Sequence, residues 1–173
     1  MSTPQLDSLF NQIESEHHFV LAQNPNLIDT IEENSGYQFP DDLKEFYRRY
    51  ESVCLYSKED PLYRFLSVDE LHTTRIDIYG EDSIDLGPDH WWSVCDVQDG
   101  NYISIDLKSF QDKEYNYIDA FHETFAEKGY SMIIAKSFTE LLSKALMGGD
   151  SQVFFLQEGF VGYGDAIEGD ESA

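Results

Sequence analysis

The stretch Trp91 to Leu107, WWSVCDVQDGNYISIDL, decides the fold. Two runs rich in β-branched and aromatic residues flank Asp99-Gly100, a dipeptide suited to a two-residue type I′ turn because both central positions need positive φ. Such a turn pairs Gln98 with Asn101, Val94 with Ile105 and Trp92 with Leu107. One face of the hairpin then carries Trp92, Val94, Ile103, Ile105 and Leu107 and reads as the core face. The other carries Trp91, Cys95, Val97 and Tyr102 with Ser93, Ser104 and Asp106, a mixed face expected to be partly open.

Working outward, three helices precede this hairpin and one follows it. Thr3-Pro4 supplies an N-cap and a first-turn proline, and Leu6, Leu9, Phe10 and Ile13 follow at one-face helical spacing. Asn24-Pro25 opens a second, shorter helix that Gly36 ends. The third starts after Pro40, with Asp41 and Asp42 at the positive end of the helix dipole and an apolar stripe of Leu43, Phe46, Tyr47 and Tyr50. The fourth opens on the capping box Ser137-Phe-Thr-Glu140 and stops at Gly148-Gly149. Further strands are expected at 53–56, 63–66 and 115–121. Helices first, a mostly antiparallel sheet, then a closing helix define an α+β fold. One domain spans 1–163, and 164–173 is a short acidic tail expected to fray.

Composition excludes several functions. The 173 residues include 34 Asp and Glu against 11 Lys and Arg, a formal charge of −23. That charge repels phosphate backbones and anionic membranes, so no nucleic-acid or membrane partner is expected. It favours rapid capture of a basic protein instead. Two widely spaced cysteines, Cys54 and Cys95, suit a reducing compartment, and no apolar run approaches the ~18 residues of a membrane helix. The N-terminal MSTPQLDSLF has neither the basic nor the apolar region of a secretory signal, so the expected location is the cytoplasm.

No catalytic constellation emerges. Phosphate-loop, nucleophile-elbow and zinc-helix motifs are missing; His122-Glu123 begins the last of these, but Ala126 stands at its second His position. Asp96 to Asn101 departs from a calcium loop in the placement of its Gly and in offering Gln98 where a carboxylate belongs. No catalytic residue, metal or cofactor is assigned. What stands out is a surface: 76–107 contains no Lys or Arg, and Asp77, Glu81, Asp82, Asp85 and Asp89 crowd its first part beside Trp91 and Tyr102. Exposed aromatic anchors ringed by charge have the makings of a protein-binding hot spot, and these seven residues form the expected partner surface.

Three blocks, YQFPDDLKEFYRRY (37–50), WWSVCDVQDGNYISIDL (91–107) and FHETFAEKGYSMIIAKSFTELLSKAL (121–146), resemble the Smi/Knr-type family of the SUKH superfamily in order and spacing. The matching positions are Pro40, Leu43, Phe46, Trp92, Gly100, Asp106, Leu107, His122, Glu123, Ser137 and Phe138, read as fold determinants rather than contacts. Segment 58–90 and the chain after Gly149 lie outside the resemblance.

The resemblance implies an α+β fold and a binding role without catalysis. Bacterial members are largely immunity proteins that neutralise a cognate toxin domain, often a nuclease; fungal members are scaffolds in cell-wall signalling. The leading expectation is an immunity protein with a basic, nuclease-like toxin as partner. A regulatory scaffold for a host protein is the second, and a hydrolase using a carboxylate pair the third.

Overall fold

The computed structural model describes residues 2–167, which form five α-helices and a seven-stranded sheet. Helices α1 (Pro4–Glu16), α2 (Leu27–Ser35), α3 (Asp41–Arg49) and α5 (Phe138–Met147) are the four read from the sequence. The cap at Thr3 forms as expected, its Oγ1 accepting from the Leu6 N–H at 3.2 Å. At α5 the Ser137 Oγ accepts from Glu140 N–H, and the Glu140 carboxylate reaches back to Lys136 N–H, one residue earlier than a standard capping box. Helix α4 (Thr74–Tyr79) was not expected, and Tyr50, read as the end of the α3 stripe, instead begins a strand.

The strands are β1 (His18–Leu21), β2 (Tyr50–Leu55), β3 (Tyr63–Phe65), β4 (Trp91–Asp96), β5 (Tyr102–Asp106), β6 (Tyr117–Ala120) and β7 (Ile133–Ala135). Each pairs antiparallel with its sequence neighbour, so spatial order equals chain order. One face of this meander is covered by α1, α3 and α5, and its core gathers around Phe46, whose ring lies 4.9 Å from Phe138, 5.4 Å from Tyr50 and 5.6 Å from Phe65. The opposite face buries a smaller cluster of Trp91, Ile118, Ala120, Phe125 and Ile133.

The central hairpin corrects the expected register. Asn101 N–H donates to Gln98 O across Asp99 (φ 56°) and Gly100 (φ 77°), so the turn sits where the sequence puts it. Gln98 also has positive φ, its amide tied to Asp60 and Pro61, and pairing slips by one so that Asp96 faces Tyr102. A bulge between Ser93 and Cys95 adds a second slip, leaving Trp92 opposite Ile105 rather than Leu107. Two one-residue slips cancel in parity. The expected core face therefore survives, with Cys95 and Val97 brought onto it as well.

Residues 164–167, expected in the frayed tail, are instead bonded along β7: Ile133 N–H donates to Gly164 O and Ala166 N–H to Ser131 O. Residues 168–173 lie outside the described residues.

Candidate functional site

A single buried cation organises the acidic segment. Arg75 is the lone Arg or Lys between Arg64 and Lys108, and 77–89 folds around it. Its Nε donates to Asp82 Oδ1 at 2.5 Å and its Nη1 to Gly87 O at 2.7 Å, while Thr73 Oγ1 donates to the same Asp82 oxygen. The Arg75 hydrogen bond holds the Asp82 carboxyl below its ordinary range. A guanidinium this buried would be costly unpaired, so the carboxylate and the carbonyl form the socket that makes the loop fold.

The other expected contact residues spread around this socket. Asp77, on α4, bonds His72 Nε2 at 2.7 Å and lies close enough to Tyr102 to raise its phenol pKa, after burial, which contributes most. Asp89 sits at the far end beside Tyr37 and 3.9 Å from Lys108 Nζ, its carbonyl accepting from Trp92 Nε1. Glu81 and Asp85 are exposed. The expectation that Trp91 is an exposed anchor is corrected: it is 2% exposed and packs edge-on against Phe125 at 5.9 Å. The loop 121–126 returns across the second face of the sheet and covers it, a long-range event that no hairpin pattern reveals. Tyr102 is half-buried rather than open.

The sequence reading missed the apolar side chains the lobe does present. Ile84 is 71% exposed and Tyr79 46% exposed, and both line a groove of about 440 Å³ with Asp85, Pro88 and Phe125. Single apolar residues are ordinary on protein surfaces, so nothing in the sequence of the acidic loop marked Ile84 or Tyr79. Gly87 fixes the groove floor. Its φ is 143°, and a Cβ there would meet Phe125 Cε1 at 2.6 Å. The arrangement is an acidic rim around a small depression lined by Tyr79, Ile84, Pro88 and Phe125.

Most of the positions that carry the family resemblance serve the fold. Leu43, Phe46, Leu107 and Phe138 are buried, Pro40 precedes α3, Ser137 caps α5, and Trp92 packs edge-on against Phe39 at 5.8 Å. Asp106 bonds His90 Nδ1 at 2.7 Å and accepts from Lys108 N–H. His122 is exposed, yet its backbone and ring bond Asn101 Oδ1 and so tie β6 to the hairpin end; Glu123 is exposed.

Chemically reactive groups are arranged differently. Thr74 Oγ1, at the start of α4, lies 2.6 Å from Ser104 Oγ and accepts from Ser93 Oγ at 3.0 Å, and all three hydroxyl residues are fully buried. Among the described residues, no three His, Cys, Asp or Glu side chains gather as a metal site, and no helix is long and apolar enough to cross a membrane.

A seven-stranded antiparallel meander with helices on one face and an acidic lobe on the other is an α+β fold. Residues 24–144 match the SMI1 / KNR4 family (SUKH-1), and the chain belongs to that family. Over 136 residues it is 32% identical to the immunity protein YokJ of Bacillus subtilis (strain 168), a match spanning 78% of this chain and 81% of YokJ. The matched range contains nearly all three blocks on which the resemblance was read.

Proposed function

We propose that this chain is an immunity protein that binds and neutralises a cognate toxin domain, and that the toxin is basic and nuclease-like. The observation that carries the reading is the 32% identity to an immunity protein over most of both chains. The charge supports the second half. A nuclease needs a basic surface to hold phosphates, and a protein of charge −23 competes for that surface while speeding encounter. Neutralisation then requires no chemistry from the immunity protein; it requires tight coverage of the toxin's active site or substrate path. The proposed contact surface is the acidic lobe, with Glu81, Asp82 and Asp85 on its rim, Asp77 and Tyr102 at one end, Asp89 at the other, and Ile84 and Tyr79 as apolar contacts.

The test is affinity capture from the source cells at low salt, eluted along a salt gradient. The expected result is one basic protein in near-stoichiometric yield, shed as salt rises, which poisons cells when expressed alone and spares them when this chain is co-expressed. Many weak partners without rescue would replace this reading with the scaffold.

A further inference from the structure

The two edges of the sheet are treated differently. At β7 the chain's own C-terminal segment closes the edge: Tyr163 N–H donates to Ile133 O, Ile133 N–H to Gly164 O and Ala166 N–H to Ser131 O. At the other end β1 pairs only with β2, and among the described residues no strand lies against its outer side. All four residues of β1 are exposed, and three are apolar: Phe19 at 37%, Val20 at 50% and Leu21 at 56%. Sheet edges are ordinarily blunted by charge, proline or a covering segment, because they present a row of unpaired backbone donors and acceptors. The strand itself holds no Asp, Glu, Lys or Arg; His18 opens it, and Glu51 stands exposed beside it on β2. Residues 17–28, between Glu16 and Asp29, form the longest stretch of the chain without Asp, Glu, Lys or Arg.

We propose that β1 is a self-association edge, on which a second copy of this chain pairs its own β1 antiparallel about a two-fold axis, continuing the sheet through the dimer. Charge selects this occupant. Two bodies of −23 repel wherever their acidic surfaces meet, so a copy approaches most easily where the local charge is sparsest. A basic partner, by contrast, gains little electrostatically from so sparsely charged an edge and is drawn to the acidic lobe. An antiparallel edge is also complementary to itself under a two-fold operation, so one patch serves both protomers. Residue alternation places side chains of β1 on both faces of the joint: Phe19 lies edge-on to Tyr50 at 5.8 Å on the helix-covered side, and Val20 projects from the other. Four residues make a short seam, so the dimer is concentration-dependent rather than obligate.

The inference predicts an unusual salt dependence. Screening weakens repulsion between like-charged copies, so the dimer tightens with salt, opposite to a complex with a basic partner. Sedimentation velocity of the full chain over a range of protein and salt concentrations is expected to show a monomer–dimer equilibrium that shifts to dimer as salt rises. Val20→Glu, at a half-exposed position, is expected to leave the protein monomeric with an unchanged thermal midpoint. Met147→Glu, at a position 83% exposed on α5, is expected to dimerise like the parent. Amide exchange at 18–21 slows with protein concentration in the parent and not in Val20→Glu. A parent that stays monomeric throughout, a dimer that weakens with salt, or a dimer that survives Val20→Glu with its protection elsewhere would each overturn the inference. None of these measurements involves a toxin, so the result stands apart from the immunity reading.

Discussion

Asp119 sits where a carboxylate is least welcome. On β6 it lies opposite Ile103, so its side chain shares the helix-covered face with Ile103 and Tyr117, and its N–H is used by Met132 O. Burial raises its carboxyl from 3.8 to about 6. A rise of that size corresponds to a penalty of about 3 kcal/mol on the ionised form. The sign follows from linkage. Below pH ~4 the carboxyl is neutral in both folded and unfolded chains and costs nothing; between pH ~4 and ~6 the unfolded chain releases the proton first, so folding loses stability; above pH ~6 the full penalty is present. Asp119→Asn keeps the shape and removes the charge, and is expected to stabilise the protein by about 1–3 kcal/mol near neutrality and by close to zero at pH ~4. Urea unfolding of both proteins at the two pH values checks this, because the titration of the other carboxylates cancels in the difference when they are not coupled to Asp119. A gain equal at both pH values, or destabilisation near neutrality, would refute the reasoning.

Other consequences concern packing, capping and the lobe. Gly87→Ala forces a Cβ into Phe125 at a φ that favours glycine, and should cost about 1–3 kcal/mol in chemical unfolding while perturbing the Trp91 fluorescence beneath it. Asp42 Oδ2 accepts from both the N–H and the Oγ1 of Thr139 and so caps α5 from the start of α3; Asp42→Ala should cost about 1–2 kcal/mol, seen as a lower urea midpoint. Glu81→Arg with Asp85→Arg should leave the thermal midpoint unchanged, slow association with the captured partner and flatten its salt dependence, read by stopped-flow kinetics; unchanged kinetics would remove the lobe from the interface.

What the sequence made legible was local. Caps at Thr3 and Ser137, the stripe Leu43-Phe46-Tyr47 and the Asp99-Gly100 turn are set by residues within a few positions of one another, and each forms. The strand β1 escaped because all four of its residues are exposed, so there is no period of burial to detect, and α4 because six residues give too few turns for one. The register error came from Gln98, whose amide is anchored across space to Asp60 and Pro61. The misplacement of Trp91 came from Phe125, some thirty positions on in the sequence, closing over it. The seven expected contact residues were chosen by charge and aromaticity alone, and those criteria do not distinguish a carboxylate facing solvent from one folded onto Arg75.

That distinction separates folding from binding within the lobe. Asp82 serves the fold: it neutralises the buried Arg75 and accepts from Thr73, and both bonds hold α4 and the loop against the sheet. Glu81 and Asp85 flank it in the same charged loop and are exposed, as Asp82 is, but their side chains have no comparable structural duty. Reversing Asp82 therefore strands a guanidinium that is 6% exposed and lowers stability along with any binding, whereas reversing its neighbours alters only the field outside the protein. The same division runs through the chain. Leu43, Phe46, Leu107, Ser137 and Phe138, which carry the family resemblance, lie in the core or at a helix cap, while Glu81 and Asp85 lie exposed between the blocks of that resemblance, within the 24–144 that match the family. A fold held by buried aromatics and caps can change its exposed acids without cost to folding, and that freedom is what a protein matched to one particular partner requires.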